Sequence, residues 1–260
     1  SLTPSGVPSF TPTTGPSSAP SLGPTTSCSA LCPARLDVSQ YNESFQDLIS
    51  LCLGNTNCLV PSGNISCWNT AGITNMANAF RDKSDFDEPL ECWDTSKVET
   101  MSFMFRGASA FDQPIAEWDT SKVEKMNGMF KDASTFDQPI AVWNTSSVIN
   151  MQFMFKNAST FNQPIGDWTT SKATSMQGMF VGASAFNRPI FGWNTFQVTT
   201  MYRMFKDATS FNQCLSTWTR PSNNVNTTEM LENTACPNTM DSPNPTTGQW
   251  CQVTACSLPP

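Results

Sequence analysis

The sequence predicts an α/β solenoid of about six to seven coils, each 25 residues long, and three observations predict it. Seven tryptophans stand 25 residues apart, at Trp68, Trp93, Trp118, Trp143, Trp168, Trp193 and Trp218. The residues between them repeat in phase, reading W-D-T-S-K-V-x-x-M-x-x-M-F-x-x-A-S-x-F-D-Q-P-I from Trp93. Finally, a lone unit of this length cannot bury enough apolar area to offset roughly 1.5 kcal/mol of ordering entropy per residue, so copies must stack.

Within each unit, Val98, Met101, Met104, Phe105 and Ala108 recur as Val123, Met126, Met129, Phe130 and Ala133. This spacing predicts one inward stripe of a short helical or 3₁₀ segment. Asp94, Thr95 and Ser96 precede the stripe and are expected to cap it, as are their copies Asp119, Asn144 and Asn194 with Thr70, Thr120, Thr145, Thr170 and Thr195. Phe111, Pro114, Ile115 and Trp118 then read as an irregular extended segment that stacks on its copies at Ile140, Ile165 and Ile190. The methionine columns, from Met101 and Met104 to Met201 and Met204, suit the gaps between coils better than a soft-metal strip, because a flexible thioether fills irregular space.

The organisation that follows is an extended arm over 1–27, a cysteine-rich N-terminal cap over 28–67, the repeats over 68–218 and a cysteine-rich C-terminal cap over 219–260. In the arm, Pro4, Pro8, Pro12, Pro16, Pro20 and Pro24 recur every four residues among Ser, Thr and Gly. Such a tract favours polyproline II and attracts O-linked sugars. In polyproline II the arm reaches about 80 Å, more than seven coils at roughly 5 Å each.

Ten cysteines and no histidine fit a secreted, oxidised chain. They sit at the ends: Cys28, Cys32, Cys52, Cys58, Cys67 and Cys92 on one side, Cys214, Cys236, Cys251 and Cys256 on the other. Disulfides are expected to staple both caps. Cys67 and Cys92 each precede a repeat tryptophan, so they share a column on adjacent coils within bonding reach and are expected to pair; the remaining pairings stay open. Cys28-x3-Cys32 as a metal pair is the weaker reading. Asn42, Asn64, Asn144, Asn157 and Asn226 are N-glycosylation acceptors. No signal-peptide pattern opens the chain and no stretch reaches about 18 apolar residues, so a mature or truncated form without membrane insertion is expected.

The string WDTSKVETMSFMFRGASAFDQPIAEWDTSKVEKMNGMFKDASTFDQPI resembles the BspA-like leucine-rich-repeat surface proteins, in the 25-residue subtype of mycoplasma surface lipoproteins and of protist and algal surface proteins. The resemblance covers about Trp68 to Trp218. It implies a leucine-rich-repeat-type extracellular solenoid used for adhesion, matrix binding or surface assembly, without catalysis. The arm and caps depart from that repeat, and the arm resembles Pro/Ser/Thr-rich segments of diatom and related algal proteins. No binding residue is carried over.

Catalysis finds little support, since the chain has no histidine and no nucleophile or phosphate-loop motif. Asp87, Asp112 and Asp137 share one column, continued by Asn162, Asn187 and Asn212. Stacked like charges need a cation, a sugar array or water. Calcium is the weaker candidate, and a ladder satisfying backbone groups is preferred. No cofactor is expected. A net charge of −7 with 14 basic residues argues against nucleic acid and anionic lipid, leaving protein, glycan or further copies of this chain as partners. The expectation is a non-enzymatic, glycosylated, extracellular structural protein that assembles head to tail into a filament through its arm. A monomeric adhesin for matrix protein or glycan is the alternative, and a carbohydrate-active enzyme using the Asp column the distant one.

Overall fold

The computed structural model describes residues 28, 32, 35–40, 44–53, 65–215, 218, 225–240 and 250–251. The chain divides into two units, Ser1–Pro33 and Ala34–Pro260. In the first, the Cys32 N–H donates to the Cys28 carbonyl at 2.9 Å. The arm prolines Pro4 to Pro24, and with them the expectation for that segment, lie outside the described residues.

The second unit opens with the short strand β1 (Leu36–Asp37) and the helix α1 (Phe45–Cys52). Ser44 starts α1 by accepting the Asp47 N–H, which satisfies one of the donors a helix leaves open. Phe45, Leu48, Ile49 and Cys52 are buried at the spacing of a single face. That face lies on the first coil, where Phe45 meets Trp68 and Trp93 edge-on at 6.1 and 5.3 Å. β1 pairs in parallel with β2 (Trp68–Asn69), so the cap extends the stack by a partial coil.

Beyond β2 the chain stacks in register. Parallel bridges link Asn75, Thr100, Lys125, Asn150, Ser175 and Thr200 in succession, each 25 residues from the last, and the series ends on Asn226, one residue late. In each coil four backbone N–H groups point forward. Met101, Phe103, Phe105 and Gly107 donate to Lys125, Asn127, Met129 and Lys131 at 2.7 to 2.9 Å. The residues between them turn inward: Met104, Arg106 and Ala108 bond the carbonyl three positions back.

This alternation replaces the helix expected over Val98 to Ala108, where the chain forms consecutive tight turns. Two columns are left-handed in every coil: Asn78, Phe103, Gly128, Phe153, Gly178 and Arg203, and four residues later Asp82, Gly107, Asp132, Asn157, Gly182 and Asp207 (φ +56 to +70°). A left-handed residue at each fourth position cannot propagate an α-helix. The i, i+3 spacing survives because a chain of turns also returns every third residue to one side. Nor is Phe111 to Trp118 the bridging segment, since the ladder runs through Thr100 and its copies instead. With Pro114 at its centre, the former stretch lacks a donor.

The core is a set of continuous columns. Val98, Met101, Met104, Phe105, Ala108, Phe111 and their copies are sealed, most at 0% exposure, so the methionines fill space between coils and face no ligand. The rings stack along the same axis: Phe105 on Phe130 at 5.6 Å, Phe111 on Phe136 at 6.0 Å, Trp143 on Trp168 at 6.4 Å, all within 6° of parallel. Each indole N–H of Trp93 to Trp218 also donates backwards to a carbonyl 28 residues earlier, as Trp143 does to Ile115 at 3.0 Å. Trp68 begins the series, and its indole N–H has no partner among the described residues.

Candidate functional site

The polar file expected to cap a helix does different work. Asp94, Asp119, Asn144 and Asn194 each accept the N–H two residues on, closing a tight turn with no helix behind it. Thr95 and Thr120 donate their hydroxyls to the carbonyls of Asp119 and Asn144 in the following coil, at 3.0 Å each. From Thr70 to Thr170 the column is thus a buried tie between coils, while the buried Thr195 hydroxyl has no partner among the described residues. Hydrogen bonds from Ser96 and Ser121 hold the Asp94 and Asp119 carboxyls below the usual carboxylate range.

The Asp87, Asp112 and Asp137 column is brought together as a backbone ladder. Oδ1 of Asp87 accepts the Asp112 N–H at 2.9 Å, Asp112 accepts from Asp137 at 2.9 Å, and Asp137 from Asn162 at 2.7 Å. Asn162 and Asn187 continue the same contact to Asn187 and Asn212, so a neutral amide serves as well as a carboxylate. One oxygen of each aspartate is engaged in this way, and among the described residues no three metal-binding side chains converge. Asp87, at the start of the column, borders an open cleft of about 520 Å³ shared with Leu53, Asp82, Asp85 and Glu88.

The eight described cysteines, Cys28, Cys32, Cys52, Cys67, Cys92, Cys214, Cys236 and Cys251, are all disulfide-bonded. Cys236 pairs with Cys251, with Cα atoms 4.8 Å apart, while Cys58 and Cys256 lie outside the described residues. Beside Cys92, the Arg35 guanidinium donates to the carbonyls of both Trp68 and Cys92, bracing two adjacent coils. Of the glycosylation acceptors, Asn144, Asn157 and Asn226 are exposed, and Asn42 and Asn64 lie outside the described residues. Among the described residues, Asn144 and Asn226 bond through their oxygens, which close Asx turns. Asn157 commits its amide nitrogen to Asp132 at 2.7 Å.

One feature escaped the sequence reading. Arg81, Arg106, Lys131, Lys156 and Lys206 occupy a single column, next to the left-handed column that carries Phe103 and Phe153. Three of these cations have carboxylates at hand: Arg81 with Asp82 at 3.2 Å, Lys131 with Asp132 at 2.9 Å, and Lys206 with Glu229 and Glu232 at 2.6 and 2.8 Å. Burial works to raise the Asp132 carboxyl, but hydrogen bonds from Lys131 and Asn157 outweigh it and leave it below its ordinary value. Arg106 has no ion pair among the described residues, and its Nε is buried without a partner.

The described residues thus form a continuous stack of 25-residue coils, with disulfide-bonded cysteines near both ends. The chain matches the family model described as "Mycoplasma protein of unknown function, DUF285" over residues 52–159 and again over 138–242. The chain belongs to this family. Both matches fall across the stacked coils, so the family's repeat and the hydrogen-bonded ladder are the same stretch of chain. No curated protein and no solved structure matches it. No helix among the described residues is long and apolar enough to cross a membrane.

Proposed function

We propose that the protein is a non-enzymatic, extracellular structural glycoprotein, a leucine-rich-repeat-type solenoid of the BspA-like kind whose copies join head to tail into a filament. The observation that carries this reading is the unbroken forward ladder from Met76 to Glu232, in which every coil donates four N–H groups to the next. Such a ladder resists extension, because pulling along the stack axis loads all bonds of a coil together. Disulfides at both ends support a role in an oxidising space, as do exposed Asn144 and Asn226 for glycosylation and membership of a mycoplasma family for a place at the cell surface.

In this reading the 1–27 arm of one copy docks on the body of the next. Polyproline II costs little entropy to bind, and a head-to-tail contact that does not close generates a fibre. Electron microscopy of the full chain and of a chain lacking residues 1–27 tests it. Fibres of fixed axial repeat are expected from the former, and folded monomers from the latter. Fibres from the shortened chain, or only monomers from the full one, would overturn the arm-mediated assembly. Turnover of a polysaccharide that is lost in Asp112→Asn would overturn the non-enzymatic reading.

A further inference from the structure

We propose that the face carrying Arg106, Lys131 and Lys156, with Phe103 and Phe153 beside them, is a binding strip for a linear acidic polysaccharide lying along the stack axis. The inference is independent of whether copies assemble.

The strip is built by register. Bridges at Thr100, Lys125 and Asn150 hold three successive coils about 4.8 Å apart, and six positions later in each coil stands Arg106, Lys131 or Lys156. Stacking like charges at that spacing is unfavourable unless a counter-charge joins them. Lys131 has one in Asp132. Arg106 has none among the described residues, where its Nε is buried without a partner, and an anionic ligand would supply the counter-charge its guanidinium lacks. Lys156 makes no direct ion pair among the described residues, although its charge reaches Asp132; its Nζ lies 5.7 Å from the centre of the Phe153 ring.

The aromatic column strengthens the reading. Phe103 and Phe153 both sit at φ +56°, an uncommon place for a bulky residue, and both are only half-buried. Their column holds glycine at 128 and 178, where an added Cβ would come within 2.3 and 2.5 Å of the Phe103 and Phe153 rings. Each ring therefore lies across the glycine of the following coil. The result is a two-coil period: Phe103 with Arg106, then Phe153 with Lys156. A ring offers an apolar face to a sugar, and a cation takes its carboxylate or sulfate, so one such pair recognises one acidic sugar. A polymer whose sugar is about as long as a coil is high, roughly 4.8 Å, brings every second sugar to such a pair.

Asp82 and Asp132 next to the file keep its excess charge small. A small excess suits a polymer that brings apolar sugar faces to the two rings along with its charge.

The test measures binding of the full chain to polygalacturonate, with neutral dextran, single-stranded DNA and phosphatidylserine vesicles for comparison. Polygalacturonate is expected to bind, weaken as salt rises, and exceed the other three. Arg106→Gln combined with Lys156→Gln should lower its affinity by roughly tenfold or more. Phe153→Gly should weaken it with the fold intact, since the same column already accepts Gly128 and Gly178, and this variant decides the matter if the double one does not fold. Lys97→Gln with Lys122→Gln, nine positions earlier in the repeat, should change nothing. No binding to polygalacturonate, undiminished binding by the Phe153 and cation variants, equal loss in the Lys97 and Lys122 pair, or preference for dextran, DNA or vesicles would overturn the proposal.

Discussion

Trp143 shows how much one position does in this architecture. Its ring is 3% exposed, stacks on Trp168 and ties back to Ile115 through its indole N–H. Trp143→Ala should cost about 3–5 kcal/mol in denaturant unfolding, the sum of lost apolar burial and the cavity left behind. At Gly178, a new Cβ would lie 2.5 Å from the Phe153 ring, so Gly178→Ala should destabilise by roughly 1–3 kcal/mol. Adding Phe153→Ala should return part of that loss, because it removes the obstruction; a double-mutant cycle reads the coupling. In the Asp column, Asp137→Asn should leave stability nearly unchanged, as Asn162 and Asn187 already make the same contact. Asp137→Ala should cost about 1–3 kcal/mol by orphaning the Asn162 N–H, and a calcium chelator should not shift the melting temperature of the parent.

The core columns were legible in the sequence because burial is periodic and tryptophan, methionine and phenylalanine have few other uses at fixed phase. The turns that carry those columns were misread as helix, although a signal existed. The column of Asp82, Gly107, Asp132, Asn157, Gly182 and Asp207 holds only the three residue types that most readily adopt left-handed backbone. Read down that column, the spacing favours turns; read along the chain, it favours a helix. The cation file was hidden for the same reason, since Arg106, Lys131 and Lys156 are neighbours only across coils.

At the level of a single coil, the last one is bound to its neighbour by charge. Glu229 receives Arg203 at 2.8 Å and Lys206 at 2.6 Å, and these hydrogen bonds lower its carboxyl to about 2. A depressed acid contributes stability that is complete above its unfolded value and is lost as pH falls through the folded one. The contacts of residues 225–232 with the preceding coil should therefore hold above about pH 4.5 and loosen progressively towards pH 2. A carboxyl NMR titration of the parent and of Glu229→Gln checks this: the variant should show no such transition. The Lys206 ammonium, raised by the same Glu229 and by Glu232, remains charged throughout that range.

Across the whole molecule, stability is a chain of nearest-neighbour terms, and disulfides stand at both ends. Reduction should therefore raise hydrogen exchange first in α1 and in residues 225–240, while the amides of Met126 to Phe180 keep their protection. Uniform loss of protection along the stack would contradict this order.

The step from Thr200 to Asn226, one residue longer than all the others, gives the array a punctuation mark. Between that mark and α1, each coil addresses only the next, and always with the same grammar. A gene that doubles 25 codons there adds a word that the protein can read; one that doubles 26 shifts every later column out of phase. Duplicating residues 118–142 should yield a molecule that folds, melts higher and is longer by about 4.8 Å, whereas duplicating 118–143 should not. Copy number then sets length, so a lineage can change the span of this protein by recombination alone, without altering a single contact inside it.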